Sequence, residues 1–167
     1  ISSIENIDPS ILDFALLKAI EKNAPFNVIE NLLNRGASLN PISVHMLTLN
    51  NNVTLAKKLM NYGLDIHTLD KEGKNAIFTA VKSFRHREMF DYLLSNNIRV
   101  EYDSIKDDPL LIALKLANTD DAGLYYVTRL VEYGAAVQSK HKVILSSIKE
   151  SNYDAYSFLV ENFHQFN

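Results

Sequence analysis

One spacing recurs five times in this chain and leaves few folds open to it. Two adjacent apolar residues are followed by two unconstrained positions, two more apolar residues, two unconstrained positions, and a residue that leaves the helix. The copies are Val28-Ile29, Leu32-Leu33, Gly36; Leu55-Ala56, Leu59-Met60, Gly63; Met89-Phe90, Leu93-Leu94, Asn97; Tyr126-Val127, Leu130-Val131, Gly134; and Ala155-Tyr156, Leu159-Val160, Phe163. Apolar pairs four apart share one face of an α-helix. Glycine just past them suits the helix C′ position, where positive φ is cheap only without a Cβ. Asparagine is the next most tolerant residue there, as at Asn97. Phe163 is not, so the fifth helix is expected to run on or end differently.

A shorter apolar stretch precedes each copy. The first is expected over about 10–22, with Ser10 as N-cap and Pro25 opening its partner helix. The second pair starts at Pro41 and continues as 53–62 after the Asn50-Asn51-Asn52 turn. The third inner helix spans 75–84, and the fourth pair starts near Asp108-Pro109 and runs through Leu116. The fifth comprises 141–150 and 152–163. No alternation of period two persists long enough for a sheet. Helix pairs this small cannot bury their own apolar faces, so stacking must complete the core. The expected fold is therefore an all-α solenoid in one domain, 1–167, with repeats near 8–40, 41–67, 68–102, 103–138 and 139–167.

Composition narrows the function classes. The formal net charge of −3 gives no overall pull toward nucleic acid or an anionic membrane. Cysteine is absent, which removes thiol catalysis, disulfides and Cys-based zinc sites. That absence fits a cytoplasmic or other reducing compartment. No apolar run approaches the ~18 residues of a membrane span. The chain begins at Ile1, which points to a fragment of a longer protein.

Asp70–Val81, DKEGKNAIFTAV, resembles the ankyrin-repeat signature D-x-x-G-x-T-P-L-H-x-A-A. Asp70, Gly73 and Ala80 match it, Ile77 stands for the leucine, and Asn75 stands for the capping threonine. Ala76 replaces the proline and Phe78 the histidine. In the fourth copy Pro109, Leu110 and Ala113 match, with Asp108 in the capping place; in the second, Val44-His45 sits where Leu-His belongs. Gly36-Ala37-Ser38-Leu39-Asn40 and Gly134-Ala135-Ala136-Val137 are similar to the family's G-A-D-V-N. The resemblance implies short β-hairpin fingers between repeats. Residue counts leave room for full fingers at about 67–74 and 102–107, and only truncated ones after Gly36 and Gly134. The fourth repeat carries extra residues around 117–123, expected to bulge from the stack.

No catalytic constellation emerges. His45, His67, His86, His141 and His164 include no i, i+4 pair, so no helical metal site is expected. Asp107-Asp108 and Asp120-Asp121 fall at helix starts, where carboxylates cap N–H groups. There is no phosphate-cradling glycine loop and no G-x-S-x-G or H-E-x-x-H. The fragment is read as a non-enzyme with no cofactor and no metal.

Lys82, Arg85, His86 and Arg87, with Lys71 and Lys74 nearby, make a local basic cluster whose ordinary role is a solvated surface. The repeat register adds a sharper reading. The residue after the small or apolar pair of each inner helix should face the groove: Glu21, Leu49, Lys82, Lys115 and Lys149. Three successive lysines would attract an acidic segment. The resemblance implies a protein-interaction module using the central fingers and the inner-helix groove. Its candidate contacts are Lys71, Glu72, Lys74, Ser104, Ile105 and Asp107 at the fingertips, and Thr79, Lys82 and Lys115 in the groove. Tyr102 at a finger base is a further interface candidate, while Tyr62 and Tyr133 are read as packing over repeat junctions. The expected partner is a protein with an acidic segment, without nucleic acid or membrane, the chain acting as a monomer or packing on a neighbouring domain. The alternative is a recognition or scaffold domain of a larger multidomain enzyme, or of a secreted bacterial effector acting on host proteins in the host cytosol or nucleus.

Overall fold

The computed structural model describes residues 7–40, 42–84, 86–102 and 108–166. They hold five helix pairs: α1 (Pro9–Glu21) with α2 (Phe26–Asn34), α3 (Val44–Leu49) with α4 (Val53–Met60), α5 (Ala76–Lys82) with α6 (Arg87–Ser95), α7 (Pro109–Ala117) with α8 (Ala122–Glu132), and α9 (Lys142–Ser151) with α10 (Tyr153–Asn162). The chain divides into two compact units, Ile1–Ile66 and His67–Asn167. There is no strand among the described residues. No helix among them is long and apolar enough to cross a membrane.

The recurring frame does what its spacing demands. Four outer helices close on the same pair of backbone bonds: Gly36, Gly63, Asn97 and Gly134 N–H donate to Leu33, Met60, Leu94 and Val131 C=O. The next residues, Ala37, Leu64, Ile98 and Ala135, donate back to Leu32, Leu59, Leu93 and Leu130 C=O. This is the Schellman arrangement, and all four C′ residues have positive φ, 98°, 94°, 57° and 99° in that order. The following apolar residue is buried each time, so the turn also seals the core. The fifth helix departs as expected: Phe163 is extended (φ −137°) and leads into a 3₁₀ turn, His164–Phe166.

Unit 1 packs two pairs. Ile29, Leu55, Ala56 and Leu59 from the outer helices meet Leu12, Leu16, Ile20, Val44 and Leu47 in its core. Tyr62 secures the outer side: its hydroxyl donates to Glu30 at 2.9 Å, and its ring meets Phe26 edge-on at 6.5 Å. The cap of α1 differs from expectation. Asp8, not Ser10, is the N-cap, and its carboxylate accepts from Ser10 N–H at 2.9 Å and Ser10 Oγ at 2.8 Å. Pro9 takes the first helical position, so the cap must lie one residue earlier.

Unit 2 stacks three inner helices, α5 on α7 on α9, with α6, α8 and α10 behind them. Its core is filled by Met89, Phe90, Leu93, Leu94, Tyr126, Val127 and Leu130, all fully buried. The extra residues of the fourth repeat form the turn between α7 and α8, in which Thr119, Asp120 and Asp121 are exposed. A Cβ on the buried Gly123 would lie 2.1 Å from Ala117 N, so α8 starts in direct backbone contact with the end of α7. Only a glycine permits that approach.

Candidate partner-binding face

Each inner helix of unit 2 carries a lysine near its C-terminal end. Lys82 and Lys115 are exposed, each directly after a buried pair, Ala80-Val81 and Ala113-Leu114. Lys149 is exposed after half-buried Ser147 and buried Ile148. Because α5 packs on α7 and α7 on α9, successive lysines stand about one helix spacing apart, ~8–10 Å. Thr79 lies one turn before Lys82 and is half-buried.

Charge is divided between the two helix layers of this unit. The inner helices α5, α7 and α9 carry Lys82, Lys115, Lys142 and Lys149 against one carboxylate, Glu150. The outer helices α6, α8 and α10 carry Glu88, Asp91, Glu132, Asp154 and Glu161 against Arg87 and Arg129. The outer charges also engage one another. Arg129 bonds Asp91 at 3.0 Å and Glu132 at 2.6 Å, Tyr125 donates its hydroxyl to Asp91, and the Arg87 guanidinium lies 4.4 Å from the Tyr125 ring centre. Burial, then the hydrogen bond to Asp91, pushes the Tyr125 phenol up to about 12. So the inner helices carry a positive balance and the outer helices a negative one, with Asp91 and Glu132 paired to Arg129.

The first finger takes a compact form. Asp70 N–H donates to Lys74 C=O at 2.8 Å and Gly73 N–H to Asp70 C=O at 3.0 Å. The Asp70 carboxylate accepts from Glu72 and Lys74 N–H, at 2.8 and 2.9 Å. This is a tight turn closed by one aspartate, with no paired strands; Gly73 supplies its positive φ of 75°. Lys71 and Glu72 are exposed. Lys74 is not at the tip. Its ammonium bonds Glu72 at 2.6 Å and reaches over the Phe78 ring at 5.8 Å, leaving the side chain 13% exposed. The other fingertip candidates, Ser104, Ile105 and Asp107, lie outside the described residues, as does Arg85.

Tyr102 is a packing residue. Its ring meets Phe78 edge-on at 4.7 Å and is covered by Arg99 at 4.8 Å. The capping residues likewise do more than cap. Asn75 accepts from Ile77 N–H at 3.1 Å and donates its amide to Arg99 C=O at 2.7 Å, tying α5 to the segment after α6. Asp108 goes further. One carboxylate oxygen accepts from Leu110 N–H at 2.8 Å, while the other meets Lys140 Nζ at 2.6 Å and His141 Nε2 at 2.9 Å. His141 Nδ1 accepts from Gln138 N–H at 2.9 Å, so Nε2 bears the proton given to Asp108. Lys140 also donates to Tyr102 C=O. The side chains of Asp108, Lys140 and His141 are 5%, 6% and 0% exposed. Burial alone would raise the Asp108 pKa, but the bonds from His141, Lys140 and Leu110 outweigh it and hold the carboxyl below its ordinary value. The sequence reading found the cap and missed this cluster, whose members are 32 and 33 residues apart. Among the described residues, no group of three histidine or carboxylate side chains is placed to hold a metal ion.

A family model described as "Ankyrin repeats (3 copies)" matches residues 16–104 and 44–141. No curated protein matches the chain.

Proposed function

The chain belongs to the ankyrin-repeat family, and from that membership we propose that its second unit captures an acidic segment of a partner protein on the inner-helix face. Ankyrin repeats are in general protein-interaction modules and typically non-catalytic. The observation that carries the finer reading is the charge division. Lys82, Lys115 and Lys149 recur in one register on an inner face whose helices hold a single carboxylate. Like charges so placed repel each other modestly in water, and an acidic strand laid across them removes that repulsion while steering association. Lys71 and Glu72 at the exposed turn would flank the segment, with Thr79 beside Lys82. A stacked scaffold already ordered by its core loses little conformational entropy on binding.

The test is charge reversal on the inner face against charge reversal elsewhere. K82E/K115E is expected to abolish capture of the partners that the unmodified protein retains from a lysate, identified by mass spectrometry. K57E/K58E, on the exposed side of α4, is expected to retain them. Equal capture by the two variants would reduce the lysine row to a solvated surface.

A further inference from the structure

A concavity of about 410 Å³ opens beside the last lysine of the row, walled by α9, α10 and the residues that flank them. Lys142 and Lys149 line it together with Ser139, Ser146 and Gln165, over apolar surface from Leu145, Tyr156 and Phe166. The volume is in the range of small-molecule sites, ~300–1,000 Å³. Lys142 and Lys149 are seven residues apart on α9, about 10 Å along its axis, with Ser146 between them. Both lysines are exposed. Neither ammonium has a carboxylate within ion-pair distance among the described residues, and Lys149 lies 5.5 Å from the Tyr156 ring centre. Among the described residues, no carboxylate lines the concavity. Gln165 is oriented by its side-chain oxygen, which accepts from Val137 N–H at 2.7 Å. Its amide N–H groups remain to serve as donors.

We propose that this concavity binds a phosphorylated aromatic side chain, a phosphotyrosine-like group carried by the partner segment. Two lysines around one site match a group of about −1.5 to −2 charge with three acceptor oxygens; a single carboxylate would leave one cation unmatched. The Ser139 hydroxyl supplies a further donor, while Ser146 Oγ already donates to Lys142 C=O at 3.1 Å. The apolar surface of Leu145, Tyr156 and Phe166 suits the ring that carries the phosphate. The inference rests on the partner reading above only for the source of the phosphate; the site itself can be tested without any partner.

Phenyl phosphate titrated into the isotope-labelled 167-residue chain is the probe, with phenylacetate and inorganic phosphate in parallel, followed by amide chemical shifts. The expected result is saturable shifts centred on Ser139, Lys142, Ser146 and Lys149, with phenyl phosphate bound about tenfold tighter than either control. K142Q/K149Q should weaken it by a similar factor while the remaining spectrum stays superimposable, and K57E/K58E should leave it unchanged. Equal affinity for phenylacetate, shifts spread evenly over all exposed lysines, or binding indifferent to K142Q/K149Q would each overturn the proposal. If partner capture fails but phenyl phosphate binds as described, the site stands and only its proposed source falls.

Discussion

Asp108→Asn offers the sharpest separation between a helix cap and a buried ionic junction. Asparagine keeps an oxygen for Leu110 N–H, so the cap itself survives. What changes is the second oxygen, which becomes an N–H₂ donor facing Lys140 Nζ, at 2.6 Å in the native protein, and His141 Nε2, at 2.9 Å. The site then holds three donors and no acceptor between them. Losing a cap costs about 1 kcal/mol, whereas breaking a buried pair and stranding its partner costs about 3–5 kcal/mol. The expected loss is about 3 kcal/mol at pH 7, read from urea unfolding followed by far-UV circular dichroism. K140M should recover part of it, because the stranded cation is then gone: the double variant should cost at least ~1 kcal/mol less than the sum of the singles. The pH dependence follows from the depressed carboxyl. A carboxyl whose pKa is lower in the folded state contributes fully above the unfolded value, about 3.9, and loses that contribution as pH falls through the folded one. The gap between native protein and D108N should therefore be constant from pH 7 down to about 4 and close below it. A loss under ~1 kcal/mol at pH 7, or a gap that persists unchanged in acid, would refute the buried-junction account.

Gly123→Ala should cost more than ~2 kcal/mol in the same assay, because its new Cβ meets backbone 2.1 Å away and no side-chain rotation relieves that. Gly134→Ala meets nothing within 4 Å but is held at φ 99°, so its cost should stay near ~1–2 kcal/mol; the reverse order would contradict the backbone contact between α7 and α8. Spectrophotometric titration of the tyrosines should show one group ionising near 12 that disappears in Y125F. That phenol's contribution to stability is present below the unfolded tyrosine value, about 10, and is lost as pH rises through the folded one. K82E/K115E should change unfolding stability by less than ~0.5 kcal/mol, since both side chains are exposed and carry no structural bond.

Much of this architecture can be read along the chain because its information is local. The outer helices, their glycine or asparagine endings and the Asn75 and Asp108 caps all lie within a few residues of the features they control. The exposure of Lys82, Lys115 and Lys149 could be read for the same reason: position after a small or apolar pair fixes which side of a short helix faces solvent. The errors share a different cause. The junction of Asp108 with Lys140 and His141 exists only once α7 and α9 are stacked, so two polar residues in what reads as a loop and a helix start gave no sign of burial. Tyr102 could be placed along the chain only as an interface candidate at a finger base; that its ring packs on Phe78, 24 residues earlier, emerges only in the fold. The close approach of Gly123 to the Ala117 backbone is likewise a matter of the packed helices, with only a lone glycine near a helix start to hint at it. The first finger had the length of a hairpin, but Asp70 satisfies the turn's N–H groups itself, and the segment folds on that carboxylate.

Zero-length carbodiimide coupling tests the partner reading most directly, because it joins lysine amines only to carboxylates in contact with them. With a captured partner in place, cross-links are expected from Lys82, Lys115 and Lys149 to aspartate or glutamate of one continuous partner segment. Cross-links confined to lysines away from the inner face, such as Lys57 and Lys58, with none from Lys82 or Lys115, would contradict it.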